Sequence, residues 1–368
     1  MRIKQKTIKE MVQIMCLRHE QNEKWGTSAL YHSVYNAIHD FCQSDDANFE
    51  TITPSWLKSF EGYLRAKGLS WNTISTYMRV LRAVYNEAVM EEVATYKPYI
   101  FNKVYTGVEA NRENALEANV MKRLIQIALN RRALLRPSLQ LSLQYFVLMF
   151  MLRGLPFVDL SFLKKSEYKG NIIAYRRKKT GRYLVVQLDK TAQVLIKSLM
   201  NKDQSSPYLF PIIHHPDGSL EAYKEYQAAL KTLNKHLVAI GKYLKINQKL
   251  SSYTARHTWA TMAFICNINP AIISQSMGHS SIKVTETYLK PFQQNIINEA
   301  NKAVFEIRNE IICSFYCEVK ELFRNFIVLI ISRFKVKKIK SSDGFPSLQI
   351  YCKYFTIQKK ACKNILLF

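Results

Sequence analysis

SSYTARHTWATMAFICNINPAIISQSMGHSSIKVTETYLK, residues 251–290, carries an Arg-His-Thr cluster (Arg256, His257, Thr258), a Gly-His pair (Gly278, His279) and a lone Tyr288 nine residues further on. The stretch reads as helical from Thr258 onward, with Arg256 at the helix start, so its chemistry rides on helices rather than on a sheet. Singly each piece is ordinary: a histidine after glycine is usually structural, and one tyrosine among 21 is usually packing. The order and spacing are the informative part.

Outward from this stretch, the chain supplies the missing cations. Residues 138–152 read as an almost wholly apolar, buried helix that delivers Arg153-Gly154 at its end. Two strand-like runs, 171–175 and 183–188, flank the basic turn 176–182 (RRKKTGR), which holds Lys179. Alone, Arg153 is a helix C-terminal cation and Lys179 a solvated turn charge. Together with Arg256, His279 and Tyr288 they make a phosphodiester-cleaving set. Phosphoryl transfer needs cations on the non-bridging oxygens, an in-line nucleophile and an acid for the leaving oxygen. Arginine suits the first role, because its planar fork binds phosphate bidentately and keeps its charge.

Helices dominate the rest. Helical runs are expected over 7–18, 28–41, 54–67 and 72–92, with Thr53-Pro54 as cap and first residue of the third and Gly68 as its stop. Further helices fall at 117–130, 191–199 and 221–243. The fold class is therefore mainly α with a small β-sheet: a helical domain at 1–100, a linker at 101–112, an α+β domain at 113–311 and an atypical basic tail at 312–368. The tail, rich in Lys, Ile, Phe and Cys, reads equally as an accessory element or as a C-terminus gained by frameshift or read-through.

Charge points to a polyanionic partner. The net charge of +25 is uneven: residues 1–100 hold 12 Lys+Arg against 11 Asp+Glu, whereas residues 101–311 hold 30 against 14. Seven cysteines, odd in number and without a C-x-x-C pair, argue against a disulfide framework or a zinc site and fit free thiols in a reducing compartment. The first ten residues lack the apolar core of a signal peptide, and the longest apolar run, FIVLII at 326–331, is far short of a membrane span. A soluble, cytoplasmic, nucleoid-associated protein without a membrane partner is expected.

The motifs RGLPFVDL (153–160), RRKKTG (176–181), YTARHTWAT (253–261), MGHSS (277–281) and TETY (285–288) resemble those of the tyrosine recombinases, the phage-integrase family, and especially Bacteroidetes-type integrases. The resemblance covers roughly residues 10–305. It implies a clamp on duplex DNA made of an N-terminal SAM-like core-binding domain and a catalytic domain. It also implies Tyr288 as nucleophile forming a 3′-phosphotyrosyl link, Arg153 and Arg256 on the phosphate, Lys179 as general acid, and His279 as a hydrogen-bond donor to phosphate. Asp159 would orient an arginine from outside the reacting shell. Neither metal, ATP nor other cofactor is implied. The partners implied are double-stranded recombination sites and, in the synaptic complex, a homotetramer assembled from free monomers or dimers.

One departure stands out. The family places a histidine where this chain has Tyr253, and a phenol of ordinary pKa near 10 is a poor proton acceptor at neutral pH. Arg79 and Arg82, with Asn72, Ser75 and Thr76 on the polar face of helix 72–92, and Arg176, Arg177 and Lys178 of the basic turn, are the expected DNA contacts. Residues 293–311, with apolar positions at helical spacing, are expected to dock on a neighbouring protomer. Two other readings share these residues: a DNA-binding protein of the same fold that has lost cleavage, and a type IB topoisomerase-like enzyme.

Overall fold

In the computed structural model, three of the first four α-helices begin at a side-chain cap. The structure describes residues 6–45, 47–107, 115–130 and 135–286, together with isolated positions 298, 299, 301, 302, 321, 322 and 325. Thr7 and Glu10 form a capping box at α1 (Ile8–Gln21), which precedes α2 (Trp25–Cys42). The Thr53 hydroxyl accepts from Trp56 N–H, and Pro54 opens α3 (Pro54–Ala66). The Ser70 hydroxyl does the same for Thr73 at α4 (Trp71–Met90).

The apolar stripes of these four helices meet in one core. Ile8, Met11, Val34, Ile38, Leu57, Phe60, Ile74, Leu81 and Val84 are buried together, and the Phe60 ring lies 5.3 Å from Trp56 and 5.4 Å from Phe41. Ile100, Phe101 and Val104 belong to the same core, so the chain stays anchored to the first bundle past residue 100, where a linker is expected. The Tyr85 hydroxyl fixes that path by donating to Thr95 O at 2.7 Å and accepting from Lys97 N–H at 2.9 Å.

A second core is built on α6 (Pro137–Met151). Leu143, Phe146, Val147, Leu148 and Met149 are buried on every side of it, so it is a central helix rather than an amphipathic one. Around it pack α5 (Ala118–Leu129), α8 (Lys190–Leu199), α9 (Leu220–Tyr243) and α10 (Ser252–Ile265). The short helices α7 (Phe157–Ser161), α11 (Pro270–Ser276) and α12 (Ile282–Glu286) lie between and after them.

Strands β1 (Ile172–Arg176) and β2 (Tyr183–Gln187) pair antiparallel, with Ile173 opposite Val186 and Arg176 opposite Tyr183. Ile173, Tyr175 and Val186 face the core.

Residues Met1–Lys290 form one compact unit and Pro291–Phe368 another. Within the first unit the two bundles touch where Trp25 Nε1–H donates to the Gly218 carbonyl at 2.7 Å. No helix among the described residues is long and apolar enough to cross a membrane. Tyr288, most of the segment 293–311 and nearly all of the tail from 312 lie outside the described residues.

Candidate functional site

The site begins where α6 ends. Arg153 and Gly154 both adopt left-handed backbone (φ 58° and 68°), and Leu155 N–H returns to Met149 O at 2.9 Å. The turn drives Gly154 against α10: a Cβ there would sit 2.9 Å from the Arg256 Cα. Glycine is required at 154 by both conformation and space. Arginine at φ 58° is strained, and strain of this kind gathers at functional sites. The Arg153 side chain is half-buried and makes no hydrogen bond to a described residue.

Helix α10 starts earlier than the sequence suggests. Ser251 N–H donates to the Thr254 hydroxyl at 3.0 Å and Ser252 N–H to Asn234 Oδ1 at 2.8 Å, so the helix opens at Ser252 and Arg256 lies inside it. A threonine three residues after the cap stands in for the Glu or Gln of a usual capping box, which is why the start is easy to miss. Thr258, fully buried, accepts from Leu116 N–H at 3.0 Å and ties α10 to the chain entering the second bundle.

Arg256 is 2% exposed. Its Nη1 donates to Gly154 O and its Nη2 to Met277 O, each at 2.8 Å, and Nη2 also lies 2.7 Å from His279 Nε2. The imidazole reaches Thr285 Oγ1 from Nδ1 at 2.8 Å. Burial, then the charges of Arg256, Arg177, Arg182 and Lys179, push the His279 pKa down to about 3, so the ring is neutral at physiological pH. Lys179 itself is exposed, yet its charge is felt at His279.

Beneath this pair lies a second buried guanidinium. Arg177, expected among the DNA contacts, is 5% exposed: its Nε donates to Asp159 Oδ2 at 3.0 Å and its Nη1 to Met277 O at 2.8 Å. Asp159 also accepts Lys178 N–H at 2.9 Å. Burial raises the Asp159 pKa, while that amide and Arg177 pull the other way. Asp159 thus orients Arg177. The cause of Arg177's placement is strand parity, since the inward positions 173 and 175 continue to 177. Gly278 (φ 65°) completes the fit, because a Cβ there would meet Arg177 Cδ at 2.6 Å.

The remaining turn cations divide. Arg176 is exposed over the Tyr183 ring, whereas Lys178 pairs with Asp217 and stands 4.1 Å over Phe162. The turn is held to the Gly-His segment by Thr180 Oγ1 to Gly278 O (3.2 Å) and Arg182 Nη2 to Ser280 O (3.1 Å).

Tyr253 is 49% exposed, its ring 5.7 Å from that of His257. Burial and Arg256 lower the His257 pKa to about 4. In the first bundle, Arg79 is exposed and bonded within α4 to Ser75 O, whereas Arg82 is half-buried over Phe101 and Ser75 is fully buried. The polar face of α4 is thus narrower than its sequence suggests, because Phe101 folds back over it.

Arg153, Arg256, His279 and the Lys179 turn converge from four segments of the chain. A phage integrase SAM-like domain model matches residues 7–104, and a phage integrase family model matches residues 114–295. The chain belongs to the phage integrase family of tyrosine recombinases. Among curated members of this kind, tyrosine recombinase XerA of Saccharolobus solfataricus is 24% identical over 142 residues, spanning 39% of this chain and 43% of that protein. The Tn1549 transposon integrase, solved with transposon right end DNA, matches at TM-score 0.57 and 15% identity, over 81% of this chain and 99% of that one. XerH recombinase bound to its difH substrate matches at TM-score 0.52 and 15% identity, over 76% and 81% of the two chains. At these identities the solved structures speak to fold, and they share the tyrosine-recombinase architecture of a SAM-like domain followed by a catalytic domain.

Sequence reasoning singles out Arg153, Arg256, His279 and Asp159, which the structure brings together, and misses that Arg177, Thr285 and the Met277 carbonyl join them. Met277 and Thr285 open the motifs MGHSS and TETY, but nothing in those motifs tells that the Met277 carbonyl and the Thr285 hydroxyl are partners of the cluster, and only the period-2 parity of β1 signals the burial of Arg177.

Proposed function

We propose that this chain is a site-specific recombinase that cuts and rejoins DNA strands through a covalent 3′-phosphotyrosyl link. The observation that carries the reading is the buried Arg256–His279 pair, seated against the Arg153-Gly154 turn in a member of this family. Such donors, fixed before substrate arrives, stabilise charge developing on a transferring phosphoryl group without reorganisation.

In this reading the Tyr288 hydroxyl attacks the scissile phosphorus, the bond to the 5′-oxygen breaks, and Lys179 gives that oxygen its proton. The exposure of Lys179 beside a cationic cluster suits a proton donor that meets DNA. Arg153, Arg256 and His279 hold the non-bridging oxygens, and Tyr253 lies at the rim of the site. A 5′-hydroxyl attacking the phosphotyrosine reverses the step, so the bond is conserved and no ATP, metal or other cofactor is needed. Residues 1–100 would be the core-binding domain and 113–311 the catalytic domain, gripping duplex DNA from two sides. Arg79, Arg176 and Lys178, the exposed members of the expected set, would meet the backbone. Four protomers would join in the synaptic complex, on chromosomal DNA in the cytoplasm.

The test is a nicked duplex carrying the junction sequences that flank the gene, where cleavage releases a short strand and traps the protein. An SDS-resistant adduct with wild type, absent in Tyr288→Phe, is expected. Specific duplex binding with no adduct would overturn the reading.

A further inference from the structure

Thr285 is fully buried, and its hydroxyl is the partner of His279 Nδ1 at 2.8 Å, three residues before the proposed nucleophile. On the opposite edge of the same ring, Nε2 faces the Arg256 guanidinium at 2.7 Å. A guanidinium only donates, so Nε2 accepts here and the neutral ring carries its proton on Nδ1, donating to Thr285 Oγ1. In that tautomer the imidazole is tied to Arg256 and presents no N–H to a phosphate oxygen from Nε2.

We propose that Thr285 is a positioning residue that lets His279 exchange tautomers in place, so that a bound phosphate releases Arg256 from His279 and gains both as donors. The proposal rests on the recombinase reading above.

The chemistry of the partner is the reason. A carbonyl or carboxylate opposite Nδ1 would fix the proton there, whereas a hydroxyl both accepts and donates. When the Nε2 edge turns to a phosphate oxygen, Nε2 takes a proton from water and, as the His279–Thr285 contact briefly opens, the Nδ1 proton is returned to water. The Thr285 O–H then rotates to donate to Nδ1, and the ring is neutral before and after the exchange. Burial and four neighbouring cations disfavour the imidazolium that would otherwise donate from both edges. Asp159 and Tyr175 are the buried acidic groups described beside the cluster, and burial raises the pKa of both. Thr285 holds its place because its side chain is sealed from water and its β-branch restricts rotation. The contact also links the start of the Tyr288 segment to the phosphate-binding histidine, so that α12 and the site form together.

Nitrogen NMR of the ¹⁵N-histidine-labelled full chain reads the tautomer directly. His279 protonated on Nδ1 in the free protein, and on Nε2 in the Tyr288→Phe variant bound to the nicked duplex, is expected. Thr285→Val, nearly isosteric, should cleave at least about 10-fold slower while binding the duplex within about twofold of wild type, and Thr285→Ser should restore most of the rate. A free-state proton on Nε2, or an unchanged rate in a folded Thr285→Val, would overturn the proposal. If Thr285→Val does not fold, the wild-type NMR measurement decides alone. Duplex binding without an adduct in wild type would count against the recombinase reading only, since the free-state tautomer is read without cleavage.

Discussion

The two helical bundles of this chain are built by the same means and hold different interiors. The first buries aromatic and aliphatic side chains around Phe60, and its buried carboxylate, Glu61, is satisfied by Lys58 and by Tyr105 N–H at 2.7 Å. The second buries Asp159, Arg177, Arg256 and His279 within one connected network. Charges leave water at a cost of several kcal/mol each, which ion pairing and hydrogen bonds only partly offset. The difference teaches that the second bundle gives up stability to fix donors in place, whereas the first is free to be a plain core.

The first bundle should lose stability without losing chemistry. Phe60→Ala should lower the unfolding free energy of that bundle by about 3–5 kcal/mol, read by denaturant titration. At saturating duplex and low temperature its rate of adduct formation per folded molecule should stay near wild type. Arg256→Ala should do the reverse, cutting the rate by about 10²–10³-fold, or roughly 2.7–4 kcal/mol of barrier, with duplex binding retained. A Phe60→Ala protein that folds but cleaves as poorly as Arg256→Ala would erase the distinction between the bundles.

The Arg177–Asp159 pair sharpens the comparison, because it sits inside the network without facing solvent. Breaking it by Asp159→Ala should cost about 3–5 kcal/mol, since Arg177 is left charged and buried. A double substitution to apolar residues, Asp159→Leu with Arg177→Met, should recover much of that stability while cleavage stays low. Recovery of cleavage in the double variant would mean that Arg177 acts only as filler beneath Gly278.

Acid should weaken the second bundle first. The His279 and His257 pKa values are depressed to about 3 and about 4, from an ordinary 6.5. Between those limits the unfolded chain binds protons that the folded chain refuses, so stability is whole above about pH 6.5 and falls as pH drops below it. Each histidine contributes a slope of up to about 1.4 kcal/mol per pH unit. His279→Gln should flatten the dependence of unfolding free energy on pH by about one such slope, and an unchanged profile would mean that the ring is protonated when folded.

Much of this was legible in the sequence because helices announce themselves through caps and apolar stripes. Thr53-Pro54, Gly68 and the apolar run of α6 each state a local preference that the tertiary fold obeys. Asp159 is expected to orient an arginine, but which arginine, and the other partners of the site, are hidden for a different reason. Asp159 and Arg177 are 18 residues apart, and Arg177 and Met277 are separated by 100, so neither pairing leaves a periodic trace. The start of α10 was misread because Thr254 does the work of a longer acceptor. Phe101 covers Arg82 from beyond the helical run, which no pattern within α4 could foretell.

The smallest expected effect concerns Tyr253, where the family has a histidine. Its ring is half in solvent against His257, and its hydroxyl has no hydrogen-bond partner among the described residues. Unlike Arg256, it is not held by a hydrogen bond to a described residue, and in the proposed reading it would contribute what a single contact to an arriving phosphate is worth. One such hydrogen bond contributes about 1 kcal/mol, so Tyr253→Phe should slow adduct formation by about fivefold. A rate unchanged in Tyr253→Phe would give the hydroxyl no role. A loss near that of Arg256→Ala would place Tyr253 with the fixed donors, despite its exposure, and the division between held and arriving groups would have to be redrawn.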